Sequence, residues 1–512
     1  MRSKKALFNL ITSLILQIIT AAIGIILPKL YIDGYGSEIN GLVSSIKQFL
    51  SYLSIVGAGV GAASIAALYT PIALGENNKI NTILSATKAF YKRSGYLLII
   101  LVIILAVIYP QIVDGEVSES ISFLMVLILG LSGVVEYLII GKYQVILTAD
   151  QKSYIVNIVQ IFGILLNSLV CILMIKSGFH VLTVQLTCTV VYVSRMFILI
   201  GYVKRRYSNI SFESEPNYSA ISNRRDALVH QIAGLAVFNT PIVIVTIFCG
   251  LKEVSVFAIY YMVISGVVML VSAFSNGLMA AFGDILAKGE KVTLLRTFNE
   301  FESLYYIVMF WAYTCTSLLF LPFIKVYTAS IKDIEYIRPS VAILFIIVGI
   351  SNSIRVPSLT IVNAAGHYKQ TKNRSIIEAL INVIVSLILV RTWGLEGVLI
   401  GSVCSYAYRT IDLIVYSSRH ILQRQIKNTF YKLINNFIIG TISLFPFFTI
   451  FKIQVISFFD WFCWAVISGI WILIVITLGN YLIQPTTMKN IFLRMKNLLS
   501  YNEIFKKVKR AN

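Results

Sequence analysis

Apolar windows of about 20 residues, the length that crosses a bilayer's hydrocarbon core, recur along this chain with only short polar interruptions. They predict fourteen helices, at 6–32, 41–69, 94–113, 120–147, 154–175, 180–203, 227–250, 254–283, 301–327, 339–362, 375–392, 395–418, 432–452 and 458–483. The expected fold class is an all-α polytopic membrane protein. The longest hydrophilic interruption, Lys204 to Asp226, follows the sixth window and suggests the division of the chain. An N-lobe would cover 1–207, a linker 208–226, a C-lobe 227–418, two further helices 419–484 and a basic amphipathic tail 485–512. The tail's apolar residues Ile491, Met495, Leu498, Phe505 and Val508 are interleaved with basic ones, the pattern of a helix on an anionic membrane surface. Arg195 and Arg409 are 214 residues apart, and Glu38–Ile39 and Glu253–Val254 are 215 apart. This spacing points to two pseudo-symmetric six-helix lobes in the same orientation, a parallel repeat.

Composition agrees with the windows: 57% of residues are hydrophobic, 13% are charged, and the mean hydropathy is +0.82. A water-soluble fold could not cover so much apolar surface. The net charge of +20 would suggest nucleic acid in a soluble protein, but here it sorts by membrane side. Of the 43 Lys and Arg, 31 fall on the side that holds both ends of the chain, so both termini are expected in the cytoplasm. The opening basic residues resemble the flank of a signal peptide, yet the apolar run after them is long and lacks a clean cleavage site, so it reads as the first span. The six cysteines lie in apolar windows without metal-type spacing, and the four histidines form no cluster, so neither a metal site nor a disulfide framework is expected.

Charges inside the spans narrow the function. Lys29 follows Pro28 late in the first span and Lys47 lies early in the second, in the same half of the bilayer. Each costs about 2.5–3.5 kcal/mol there unless it snorkels or faces an aqueous cavity. Both readings are open for both lysines; a cavity would imply an anionic ligand. Arg195 and Arg355 are further cavity candidates, while Arg409, one turn from Asp412, reads as structural. Glu136 is the candidate counter-charge or coupling group, with His230 a second. Asn239 and Asn276 could line a sugar path or bond to neighbouring helices. No pair of carboxylates shares a helix face, no Ser/His/Asp grouping is within reach of the short loops, and no phosphate-cradling loop is present, so an enzyme is not expected. Gly57–Ala63 imitates a nucleotide fingerprint but lies inside an apolar helix, where small residues permit close contact or bending.

The N-terminal segment from Ser13 to Arg93 resembles the start of Wzx-type polysaccharide repeat-unit flippases, members of the multidrug/oligosaccharidyl-lipid/polysaccharide (MOP) exporter superfamily. Further similarity lies at His230–Gly234 with Phe238–Thr240, and at Arg355–Pro357 with Asn363–Tyr368. Two departures stand out: Pro241 replaces the usual acid of span 7, and Lys29 occupies a position often held by Arg. The resemblance implies a MATE-like fold with a cationic cavity, alternating access, and a location in the bacterial cytoplasmic membrane. It implies an undecaprenyl-diphosphate-linked oligosaccharide as cargo for O-antigen, capsule or exopolysaccharide assembly, with a polysaccharide polymerase and an initiating glycosyltransferase as protein partners beside the membrane lipid. Lys29, Lys47 and Arg355 match basic positions of that pattern; Arg195 rests on its location alone. No cofactor is expected, and coupling to H+ or Na+ is open. A MATE-type small-molecule cation antiporter is the alternative, although span 1 lacks the deep carboxylate that reading prefers. A polymerase or ligase would need a long outward loop.

Overall fold

The structure, a computed structural model, describes residues 2–57, 59–113, 115–219, 225–275, 278–451 and 453–494. Every regular element among them is helical. The first ten α-helices are α1 (Arg2–Tyr35), α2 (Ser37–Leu53), α3 (Val60–Leu74), α4 (Asn77–Ile112), α5 (Glu119–Val135), α6 (Gly141–Ala149), α7 (Ser153–Lys176), α8 (Val181–Arg206), α9 (Arg225–Cys249) and α10 (Leu251–Ser272). The rest are α11 (Leu278–Ala287), α12 (Lys291–Tyr327), α13 (Pro339–Ile354), α14 (Val356–Ala364), α15 (Tyr368–Tyr416), α16 (Lys427–Thr449) and α17 (Phe458–Ile483). The chain divides into two compact units. One comprises Met1–Met262, Ser330–Glu335 and Asn382–Val398; the other comprises Val263–Ala329, Tyr336–Ile381 and Leu399–Asn512.

Eleven helical stretches are long and apolar enough to cross a membrane, or twelve when the bent pair α2–α3 is one span. One of them merges two predicted windows. The stretch Tyr368–Leu422 has 55 residues, about 80 Å at helical rise, far more than the ~30 Å of a hydrocarbon core. At Gly394 the backbone leaves the helix with φ 54° and ψ −128°, a region open chiefly to glycine. Ser386 Oγ donates to the Val398 carbonyl at 3.2 Å, so the chain folds back on itself there, with a length on either side of Gly394 close to that of one span. The predicted span 227–250 corresponds to α9, whose described apolar part is Val237–Cys249. Along α1, Phe8, Leu14, Ile18 and Ile25 are exposed, as side chains facing lipid must be.

In the first unit α1 packs on α7, α4 on α5, and α7 on α8. Because lipid is as apolar as leucine, close backbone approach and polar contacts do the joining. The break between α2 and α3, bent by 42°, shows how. A Cβ on Gly57 would lie 1.8 Å from Tyr137 Cε1, so only glycine admits the ring. Tyr137 Oη then donates to the Ser54 carbonyl at 2.6 Å, and Ser94 Oγ to that of Val56 at 3.1 Å. Carbonyls freed by the break are satisfied by side chains, the condition for irregular backbone at membrane depth.

One membrane face of this unit carries a knot around Asp150, just after α6. Lys152 Nζ lies 2.6 Å and Lys5 Nζ 3.0 Å from the carboxylate, and Tyr207 Oη donates to it at 2.6 Å. The start of α1, the α6–α7 turn and the end of α8 therefore share that face. Burial raises the Asp150 pKa, but these hydrogen bonds and the Lys152 charge outweigh it and hold the carboxyl below its ordinary 3.8. The described part of the linker runs along α4, with the Ser211 N–H donating to Asn81 Oδ1 at 2.9 Å.

In the second unit α12 packs against α13, α16 and α17. Phe298, Phe301, Tyr305 and Tyr306 form a ladder of rings with centroids 5.8–6.4 Å apart. Beside it Glu302 is fully buried between Arg424 at 2.6 Å and Lys432 at 2.9 Å, with Thr429 Oγ1 donating at 2.7 Å. Asn480 Nδ2 donates to Asn436 Oδ1 at 2.8 Å, joining α16 to α17. Of the predicted tail, 485–494 are described, and Arg494 pairs with Glu300 at 2.8 Å; the rest lies outside the described residues.

Candidate functional site: a lysine-lined cavity

Helix α2 has two faces. Asn40, Gly41, Leu42, Val43, Ser45 and Ile46 are buried. Lys47, Ser51 and Ser54, spaced i, i+4 and i+7, form a separate stripe. That stripe lines a cavity of about 270 Å³, walled by Leu98 and Val102 of α4, by Leu129, Ser132 and Gly133 of α5, and by Tyr137. Lys47 is exposed on the cavity wall. Among the described residues it has no carboxylate partner. Asn239 on α9 donates to Ser51 Oγ at 3.0 Å. Since that oxygen already accepts, the Ser51 hydroxyl is left to donate. The cavity thus offers an ammonium and a hydroxyl donor one helical turn apart, inside apolar walls that sharpen the attraction of an anion.

The other cations proposed from the sequence are ion-paired. Lys29 lies 2.9 Å from Asp33 and hydrogen-bonds to Ser330, which itself donates to Asp33 at 2.7 Å. Arg195 and Glu136, 59 residues apart, meet at 2.8 Å, with the guanidinium 3.8 Å from the centre of the Tyr192 ring. Gln144 Nε2 donates at 2.7 Å to the other Glu136 oxygen, and this carboxylate opens the π-helical turn Glu136–Ile140 between α5 and α6. Arg355, at the α13–α14 break, pairs with Glu378 and donates to Asn352 Oδ1 at 2.8 Å. Arg409 shares Glu378 at 3.5 Å and holds Asp412 at 2.9 Å; Arg374 also pairs with Asp412. Asn276 and the side chain of His230 lie outside the described residues.

Sequence reasoning missed Glu378 and Glu302. Both are carboxylates at the start of an apolar window, and the rule that an intramembrane charge needs a partner would have raised both. Their partners could not be read from spacing, because Arg355 is 23 residues from Glu378 and Lys432 is 130 from Glu302.

No family model matches the sequence, and no curated protein matches it significantly. Solved structures do. A multidrug-resistance MATE transporter of the MOP superfamily, inward-facing, superposes with a TM-score of 0.60 at 15% identity, over 81% of this chain and 96% of that one. The lipid II flippase MurJ in an inward closed conformation gives 0.65 at 14% identity, over 92% of this chain and 99% of that one. This chain has the fold of these MATE and MurJ structures. A MOP superfamily transporter from Pyrococcus furiosus, described as having a binding pocket of reverse polarity, shares the fold with a TM-score of 0.54 at 13% identity, over 83% of this chain and 95% of that one. All three are all-helical neighbours, as this chain's described residues are.

Proposed function

We propose that this protein is a flippase that moves a polyprenyl-diphosphate-linked oligosaccharide repeat unit across the bacterial cytoplasmic membrane for surface polysaccharide assembly, without covalent chemistry. The carrying observation is Lys47: an ammonium at membrane depth, accessible in a cavity and lacking a carboxylate partner among the described residues. Such a charge is costly alone, and a diphosphate entering the cavity would neutralise it. The ammonium and the Ser51 hydroxyl, held in place by Asn239, would bind the phosphates, and Ser54 and Ser132 would face the sugar, while the prenyl chain stays in the bilayer. A small-molecule cation antiporter would prefer a carboxylate deep in the first span, and that span has none.

The test is leaflet transfer of a fluorescent undecaprenyl-diphosphate oligosaccharide in proteoliposomes. Lys47→Ala is expected to cut transfer by at least tenfold with normal insertion, and Lys47→Arg to keep much of it. Full transfer by Lys47→Ala would remove the lysine from the cargo site. Efflux of a hydrophobic cation, with no transfer of the lipid by the wild type, would replace this reading by the antiporter.

A further inference from the structure

The end of α8 carries a second anion-ready surface, unrelated to the Lys47 cavity. Phe197, Ile198, Gly201, Tyr202, Arg205 and Arg206 border a shallow, open groove of about 590 Å³ along this one helix. Their spacing, i, i+1, i+4, i+5, i+8 and i+9, places them on one face of the helix. The groove is graded along its length. Phe197 and Ile198 are 66% and 47% exposed, a Cβ on Gly201 would touch nothing within 4 Å, and Arg205 and Arg206 are exposed in the last turn. From Phe197 to Arg206 the axial distance is about 13 Å at helical rise. Neither arginine has a carboxylate partner among the described residues. Asp150, the carboxylate at this end of the helix, is already occupied by Lys5, Lys152 and Tyr207, and that same knot fixes the helix end in place.

We propose that this groove binds an anionic phospholipid of the surrounding bilayer. Its phosphate would sit on Arg205 and Arg206, its ester region beside Tyr202, and an acyl chain in the dent at Gly201 against Phe197 and Ile198. Charge complementarity selects the occupant: a zwitterionic lipid would fit the apolar part equally well and offer the same phosphate, but would bring a headgroup cation beside two guanidinium groups. The proposal does not depend on the identity of the cargo.

The experiment titrates the detergent-solubilised full chain with phosphatidylglycerol or phosphatidylcholine and reads bound lipid by native mass spectrometry. The wild type is expected to prefer phosphatidylglycerol. Arg205→Gln with Arg206→Gln should weaken that binding about 30-fold, taking roughly fivefold per basic residue at a membrane surface. Arg205→Lys with Arg206→Lys should retain most of it, and Gly201→Leu, whose Cβ would meet no protein atom within 4 Å, should weaken it while leaving the arginines intact. The charge-matched control Lys427→Gln with Lys489→Gln should change nothing. No lipid preference in the wild type, an equal loss in the control, or no effect of Gly201→Leu would overturn the proposal. Complete displacement by soluble glycerol 3-phosphate would overturn it in favour of a free-phosphate site.

Discussion

Of the cavity cations that the sequence singles out, Lys47 is set apart by the lack of a carboxylate partner among the described residues. Arg195, Arg355 and Arg409 are locked to Glu136, Glu378 and Asp412, and a buried pair of this kind adds little net stability but is expensive to break. Arg195→Gln is therefore expected to destabilise the protein by about 1–3 kcal/mol, less than for a fully buried pair because the stranded Glu136 is about one-third exposed. The double variant Arg195→Gln with Glu136→Gln should recover part of that loss, as thermal unfolding in detergent would reveal. A single variant no less stable than the double would mean the two groups do not depend on each other. The sequence exposed the cations because charge inside an apolar window is conspicuous. It hid their partners because helix packing, which sets which side chains meet, joins positions such as 136 and 195 that share no local register.

Among the helices, the α2–α3 break ties the cavity to its wall. Tyr137 lines the cavity, fills the space left by Gly57 and satisfies the Ser54 carbonyl, so one ring both closes the wall and supports the bend. Gly57→Leu should displace that ring, costing about 1–3 kcal/mol as overpacking does, and should lower transport with it. Tyr137→Ala in the same chain should restore stability but leave the Ser54 carbonyl unsatisfied and transport low. Stability and activity both unchanged in Gly57→Leu would show that the ring moves freely. The glycines were readable as a place for close contact or bending. The ring they admit was not, since Tyr137 is 80 positions on and looks like any other aromatic in a span. Likewise, the apolar windows 375–392 and 395–418 were separable on the page, while the fold-back that separates them depends on one torsion at Gly394.

Over the whole molecule, the hydrophobic windows carried the fold class because length and apolarity alone decide what crosses a bilayer. The basic excess of the chain gathers at loops such as the Asp150 knot, which makes a prediction about acid. Asp150 has a folded pKa below its ordinary 3.8, so its contribution to stability is complete above that value and is lost as pH falls through the lowered one. Asp150→Asn should reduce the melting temperature at pH 7, and the difference from wild type should shrink steadily below about pH 4, as differential scanning fluorimetry across pH would record. A difference that persists unchanged at pH 2 would assign the loss to packing instead.

Glu302 gives the last two helices a different standing from an ornament added to a finished bundle. It belongs to α12, yet the two cations that neutralise it, Arg424 and Lys432, both come from the segment that begins the appended pair. A shortened chain ending near Ser418 would keep the carboxylate and lose both of its counter-charges, leaving a bare anion at the foot of a ladder of aromatic rings. Such an extension, once acquired, could not be discarded by a single deletion; Glu302 would have to change first.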